Sequence, residues 1–408
     1  MTTGLAATIS CFDVIIHAMT LKEFIINAAQ SVGFQRTVIA SLASMEEERA
    51  QYERWLALGY AAGMEYLKRN PYFRTSPELL HPSGRSAIVV SVSYYTDVPQ
   101  CPGSYYGRVA RYAVGLDYHA VLRAKLRELK NIIEKEAGRS ILAKAFTDDV
   151  ALFEQGLAAR HGLGFAGRNT LIIGPKLMGS YNFVGELVTD LQLEPDESYA
   201  GTCGQCFRCG AGCPTAAIKY GEGLDANLCI SYLTIENKNG IPVALRKQLG
   251  SWVFGCDVCQ EVCPYNQKPP PTPWAEFHPR KGAGHYLDLL SVLAISSEEE
   301  FRSKFGHTPL RRPKRRGLLR NALVVLGNRL AGDGQANGRL HTHSPSPDPD
   351  FVVRKLADFA ACENDPMLRE HAYWAIFQGG GMESKKSLGQ LLRREPDEQV
   401  RACLSTYA

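Results

Sequence analysis

Apolar and polar positions change their period several times along the chain, and each change marks an element. The run Thr20–Ser31 repeats apolar residues at helical spacing and predicts an amphipathic helix. Helical periodicity returns over Met45–Arg69, Tyr118–Glu136 and Val150–His161. Between these, SAIVVSVSYY (Ser86–Tyr95) is rich in β-branched residues and predicts a strand, and TLIIGP and YNFVGELVTDL predict two more. Strands interleaved with helices from Leu21 to about Leu193 imply an α/β (α+β) domain.

The segment Gly201–Pro270 is loop-rich, and QKPPPTPW (Gln267–Trp274) predicts a linker. Beyond it the pattern is helical, in LDLLSVLAI, GLLRNALVVLGNRLA, FVVRKLADFA, MLREHAYWAIF and SLGQLLRR, with no strand pattern. LLRNALVVLGN (Leu318–Asn328) and LREHAYWAIFQGG (Leu368–Gly380) share a basic start, an alanine and a glycine-containing end, which predicts stacked helix pairs of HEAT type. The stretch DGQANGRLHTHSPSPDPD between them has loop composition and is expected to be mobile.

A chain of 408 residues, 45% hydrophobic and 22% charged, exceeds one comfortable core, so two or three globular domains are expected. A net charge of +4 excludes a wholly basic nucleic-acid binder but leaves room for a local basic face. The N-terminus has no Lys or Arg before its apolar run and reaches Asp13, unlike a secretory signal, and no uncharged run nears membrane-spanning length. A soluble cytoplasmic protein with no membrane partner is expected, with residues 1–20 as a disordered extension.

Of twelve cysteines, eight crowd into one stretch: Cys203, Cys206, Cys209, Cys213, Cys229, Cys256, Cys259 and Cys263. In a reducing compartment such crowding means metal or redox chemistry, while Cys11, Cys101, Cys362 and Cys403 are expected to be ordinary thiols. CGQCFRCGAGCP (Cys203–Pro214) has the C-x2-C-x2-C-x3-C-P spacing of bacterial ferredoxins, whose fourth cysteine serves a second cube. Cys256-x2-Cys259-x3-Cys263-Pro264 repeats the end of that spacing, and Cys229 can supply the missing ligand. The crossing assigns Cys203, Cys206, Cys209 and Cys263 to one [4Fe–4S] cluster, and Cys213, Cys229, Cys256 and Cys259 to another. Zinc knuckles are the alternative, but they require neither the third close cysteine nor the Cys-Pro ending.

Two clusters imply an electron acceptor. The GxGxxG match at Gly162–Gly167 follows a helix instead of a strand, so Gly162 is expected simply to end that helix. Asp117-Tyr118-His119 begins like a corrinoid DxHxxG motif, but Leu122 stands where glycine is needed, and Asp117 is expected to cap the helix from Tyr118. His119 is expected to be structural.

RYAVGLDYH (Arg111–His119), TDDVALFEQGLAARHGLGFAGRNTLII (Thr147–Ile173), GSYNFVGEL, the eight cysteines with CPTAAI, and GLLRNALVVLGN follow one another in an order that resembles the epoxyqueuosine reductases over nearly the whole chain from Leu21. The resemblance implies a core like that of reductive dehalogenases, cobalamin (as cob(II)alamin) beside two [4Fe–4S] clusters, and a HEAT-like domain that grips tRNA. It implies a monomer that reduces epoxyqueuosine to queuosine at the wobble position of a tRNA anticodon, fed by an external low-potential electron donor. The expected division is a cobalamin-binding catalytic domain over 21–195, a ferredoxin-like module over 196–270, and a linker with the helical tRNA-binding domain over 271–408.

The family motif places the proton donor at Asp148, with Asp149 beside it; without the family, Asp148 is the N-cap of a helix over Val150–Arg160. Matched positions imply cobalamin contacts from Arg74, Ala110, Asp148, Ile172, Val184, Ser231, Cys256 and Asp257. The cluster of Cys213, Cys229, Cys256 and Cys259 would then lie nearest cobalt. Read without the family, Ile172 and Val184 are core residues and Arg74 a surface charge.

RRPKRRGLLR (Arg311–Arg320) carries six basic residues. Phosphate contacts are expected from Arg311, Arg312, Lys314, Arg315 and Arg316, supported by Lys238, Arg246 and Lys247, against the alternative of a solvated basic face. Two other functions compete: a corrinoid dehalogenase acting on a small molecule, and a non-enzymatic iron–sulfur carrier with a helical scaffold. The basic tail and the lack of an export signal weigh against the first, and cobalamin binding would exclude the second.

Overall fold

The protein is described by a computed structural model over residues 19–148, 150–176, 178–332 and 347–407. The predicted N-terminal extension through residue 18, the acid Asp149 and most of the predicted mobile loop, 333–346, lie outside the described residues.

Helix α1 (Leu21–Val32) starts at a Thr20–Glu23 capping box and stops at Gly33, whose φ of 104° is open to glycine. Strand β1 (Arg36–Ser41) leads to α2 (Glu46–Ala57). The predicted helix to Arg69 breaks after Ala57, where Gly59 turns left-handed at φ 72°. Strand β2 (Ser86–Ser93) is buried at all of its positions, which explains its unbroken apolar run. Next come β3 (Tyr106–Val109), α3 (Tyr118–Ala137), β4 (Ala143–Phe146), α4 (Glu154–Arg160) and β5 (Asn182–Thr189). The predicted strand in TLIIGP shrinks to Ile172–Ile173, paired with Phe165–Ala166.

The main sheet has the order β1-β2-β5-β4 and is antiparallel throughout, so the mixed domain is of the α+β kind. Ile88, Val90 and Val92 face α1 and α3; Ala87 and Val89 face Val38 and, from α4, Leu157 and Ala158. Each large aliphatic side chain contributes about 1.5–3 kcal/mol by leaving water, so the central strand holds both layers together.

The cysteine-rich segment contributes α5 (Ile230–Ile235), β6 (Trp252–Phe254) and α6 (Val258–Glu261). A second sheet joins parts distant in sequence: β3 runs parallel to β6 and antiparallel to β7 (Tyr286–Asp288), a short strand in the region whose sequence pattern is purely helical. The proline-rich stretch is not a free linker. Ser93 donates to the Pro270 carbonyl (2.6 Å), the Thr272 amide to the Tyr95 carbonyl (2.9 Å), and buried Trp274 meets Phe34 edge-on at 5.1 Å. Proline supplies extended backbone without surplus N–H groups, so the segment straps the α+β domain.

The C-terminal region packs α7 (Lys314–Leu330), α8 (Pro349–Cys362), α9 (Pro366–Gly379) and α10 (Gly381–Leu392). The two look-alike sequences fall on α7 and α9, which meet closely: a Cβ on Gly327 would lie 2.5 Å from the Trp374 ring. From Gly317 to Asn328 every residue of α7 is buried.

Candidate functional site

Two of the candidate cysteine ligands sit at the starts of short turns. Cys229 occupies the N-cap of α5, and Cys263 that of the turn Pro264–Asn266, where proline fixes the first φ. Backbone amides consequently aim at sulfur. The Ala217 amide lies 3.3 Å from Cys213 Sγ, Ser231 and Tyr232 direct theirs to Cys229, Val258 to Cys256, and Tyr265 and Asn266 to Cys263. Such donors favour thiolates and tune the potential of a cluster bound to them.

The thiols fall into two adjoining groups. Cys203, Cys206, Cys209 and Cys263 line one cavity with Arg168 and Tyr265. Burial raises the Cys209 and Cys263 thiols; Cys203 raises both further, as do Cys263 on Cys209 and Cys206 on Cys263. In the other group burial raises Cys229, Cys256 and Cys259, with added effects of Cys213 on Cys229, of Cys259 and Cys229 on Cys256, and of Cys229 and Cys213 on Cys259. Among the described residues no three His, Cys, Asp or Glu side chains gather as around a single ion. Two sets of four thiols in the ferredoxin spacing, with amides aimed at their sulfurs, are a donor set that fits [4Fe–4S] clusters.

Asp257, beside Cys256, is buried, and its Oδ2 accepts from the Arg111 amide (2.9 Å) and guanidinium (3.1 Å). Burial raises its pKa, against the pull of Arg111. The side chain expected to touch a cofactor is thus turned into an internal ion pair, which leaves the backbone of Asp257 for any such contact. Ala110 is also buried, its amide bonded to the Phe254 carbonyl at 2.9 Å, two residues before Cys256. Ile172 is buried in its two-stranded ribbon, while Val184, Arg74 and Ser231 are half-buried. Arg74 Nε is buried without a partner.

Asp148 follows β4 in a left-handed conformation, φ 51°, with its side chain exposed. It does not cap a helix over Val150–Arg160. Helix α4 starts only at Glu154, whose carboxylate instead accepts the Asp148 amide. The Asp148 Oδ2 accepts from the Tyr118 phenol and lies 4.0 Å from His119 Nε2. Tyr118 stacks on Phe183 at 4.5 Å, which fixes the ring. Burial and the Asp148 charge hold its phenol well above 10, so it stays a donor at neutral pH.

Asp117 caps α3 through the His119 amide and takes His119 Nδ1 at 2.7 Å on the same oxygen; its other oxygen meets Arg311 at 2.8 Å. Burial alone would raise its pKa, but His119 and Arg311 outweigh that and lower it. Gly162 lies just past α4 at φ 80°, as a helix-ending glycine.

The basic residues separate in space. Arg311 and Arg312 are exposed, Arg312 bonding Glu236 at 2.7 Å and lying over Tyr66 at 5.9 Å. Lys314, Lys238 and Lys247 are exposed. Arg316 pairs with Asp365 and donates to the Lys238 carbonyl; Arg315 is half-buried, bonded to the Ile295 carbonyl at 2.8 Å. Arg246 is a correction to the expected surface set. It is buried, bidentate to Glu370 (2.9 and 2.6 Å), because the chain folds it under α9.

Residues the sequence did not single out complete the mouth. Tyr112 meets Tyr118 at 6.2 Å and Phe254 at 6.0 Å, so aromatic rings run from the Asp148 side toward the Cys256 segment. Tyr66 and Glu236 flank Arg312. Tertiary contact marks their roles: Tyr112 lies inside the RYAVGLDYH motif, while Tyr66 and Glu236 lie in no motif.

Two adjoining groups of thiols with backbone amides aimed at their sulfurs, carried by a mixed α+β fold, define an iron–sulfur oxidoreductase. Residues 202–266 match a family described as a 4Fe-4S double cluster binding domain, and residues 74–149 match epoxyqueuosine reductase QueG, DUF1730. The chain is 36% identical over 372 residues to epoxyqueuosine reductase of Pseudomonas aeruginosa, covering 89% of this chain and 94% of that protein. It is 39% identical over 292 residues to that of Synechocystis, covering 71% and 99%. A crystal structure of epoxyqueuosine reductase with a tRNA-Tyr epoxyqueuosine-modified stem loop matches with a TM-score of 0.82 at 28% identity, covering 95% of this chain and 97% of that one. The chain belongs to the epoxyqueuosine reductase family.

Proposed function

We propose that this enzyme reduces epoxyqueuosine to queuosine at the wobble position of a tRNA anticodon. The epoxide takes up two electrons and two protons and leaves as an alkene and water. Electrons arrive from an external low-potential donor and pass through two [4Fe–4S] clusters, held by Cys203, Cys206, Cys209 and Cys263, and by Cys213, Cys229, Cys256 and Cys259. Cobalamin, when bound, would supply a redox-active cobalt. Arg74, Ala110, Ile172, Val184, Ser231, Cys256 and Asp257 would hold it. The unpartnered buried Arg74 Nε fits a polar ligand, and Asp257 would act through its backbone.

The observation that carries the reading is the placement of Asp148, an exposed acid bonded by Tyr118 and within 4.0 Å of His119, whose other partner Asp117 pairs with exposed Arg311. Asp148 would deliver a proton to the leaving oxygen, and Arg311, Arg312 and Lys314 would take RNA phosphates. The related structure holding a modified tRNA stem loop supports this. In this division residues 21–195 supply the catalytic domain, 196–270 the cluster module and 271–408 a HEAT-like tRNA-binding region, in a cytoplasmic monomer. No helix among the described residues is long and apolar enough to cross a membrane. The test is anaerobic reconstitution with iron, sulfide and cobalamin, followed by assay on an epoxyqueuosine-containing stem-loop. Failure to form queuosine with all cofactors loaded would sink the reading.

A further inference from the structure

Helix α7 buries three polar side chains, Arg320, Asn321 and Asn328, that lie at 0% exposure and belong to no part of the proposed chemistry. All direct their donors to backbone carbonyls in the 233–253 region. Arg320 donates to the carbonyls of Leu233 (2.6 Å), Asn237 (2.7 Å) and Asn239 (2.6 Å), and Asn328 to those of Arg246 and Gly250 (2.9 Å each). Asn321 is the pivot. Its Nδ2 donates to Thr234 O (2.7 Å) and to Val253 O (2.9 Å), while its Oδ1 accepts from Arg320 Nε and Nη2 (3.1 and 2.8 Å). A guanidinium only donates, so the amide oxygen must face Arg320 and both amide hydrogens must face the carbonyls.

Those two carbonyls come from the two segments that carry neighbouring cysteines. Thr234 lies in the last turn of α5, whose N-cap is Cys229; Val253 lies in β6, just before Cys256. A second stitch runs alongside: Thr234 Oγ1 accepts the Gly255 amide at 2.9 Å and donates to Ile230 O at 2.8 Å. Gly255 itself has φ 66°, and a Cβ there would stand 2.5 Å from the Ala110 Cβ, so this backbone has little freedom to adjust.

We propose that Asn321, oriented by Arg320, is a positioning residue for the cluster of Cys213, Cys229, Cys256 and Cys259, setting the separation of Cys229 from Cys256. The inference rests on the reading of the eight cysteines as ligands of two [4Fe–4S] clusters. Asn321→Asp keeps the shape but exchanges two donors for an acceptor against two carbonyls. In protein reconstituted with iron and sulfide, it should lower iron and sulfide to about half of wild type. In the dithionite-reduced protein, electron paramagnetic resonance should lose or shift one cluster signal and keep the other. Thr234→Val, which deletes the parallel stitch, should act in the same direction, and Thr234→Ser should restore the wild-type spectrum. Unchanged iron and spectra in Asn321→Asp, or equal loss of both signals, overturns the proposal. If Asn321→Asp does not fold, the Thr234 pair decides: selective loss in Val with rescue in Ser supports the proposal, and misfolding of Thr234→Val too overturns it. Wild-type protein holding fewer than two clusters would instead remove the reading beneath it.

Discussion

The phenol of Tyr118 donates to the carboxylate of Asp148, joining the start of α3 to the loop after β4 thirty residues on. The stacked Phe183 ring holds the donor, so the acid's direction does not depend on its own exposed, left-handed backbone. Tyr118→Phe keeps the stack and removes the bond. Turnover should fall about ten- to a hundredfold, the value of a hydrogen bond to a charged group, with cluster and cobalamin content unchanged. Wild-type single-turnover rates in Tyr118→Phe would remove it from the site.

Asp148→Asn should cost more, about a hundredfold or greater, because it removes the transferable proton and not only its orientation. Both cluster signals and the cobalamin spectrum should persist. Full activity in this variant would exclude Asp148 as the acid.

Burial divides the basic residues into two kinds. Arg311→Ala and Lys314→Ala should each weaken stem-loop binding and lower the log–log salt slope by about 0.7–0.9 per lost phosphate contact. Arg246→Ala should leave the slope alone and lower the melting temperature, since it strands half-buried Glu370. Titrations at several salt concentrations separate the outcomes, and a slope change in Arg246→Ala would contradict the structure.

Two buried histidines predict acid sensitivity. His371 accepts the Ile241 amide at Nε2 (3.0 Å), which requires it neutral, and burial lowers its pKa; burial, then Arg111 and Arg108, lowers His285 to about 4. In the unfolded chain both titrate near about 6.5. Below that pH the unfolded state takes up protons that the folded state refuses, so the stability contribution of each is complete above about pH 6.5 and declines as pH falls, for His285 toward about 4. Thermal unfolding from about pH 7.5 to 5 should show this decline. His285→Asn should flatten it, and a curve unchanged by that substitution would exclude His285 as a cause.

Trp274→Ala tests the strap. Removing a large buried aromatic should cost about 3–5 kcal/mol, read by denaturant unfolding. A free linker would show almost no change.

The elements most legible in the sequence are those whose signal is local. The capping box and closing glycine define α1, Asp117 and Gly138 bracket α3, and the apolar run of β2 announces a strand. The cysteine spacing specifies cluster chemistry for the same reason: within one turn, separation along the chain is separation in space. Strands β1 and β4 were not legible, being short segments that depend on β2 and β5 for their hydrogen bonds.

What the sequence alone determined is therefore the chemistry available: eight thiols in two arrays, an acid beside a family motif and a basic run. Only the tertiary structure decided which groups are free to act. It turned Arg246 and Asp257 inward to ion pairs while leaving Arg311 and Asp148 exposed, although all four are charged residues in comparable company. It also tied β3, β6 and β7 into one sheet across three sequence regions. The reason is physical: the cost of burying a charge depends on partners supplied from far along the chain, and no local pattern records them.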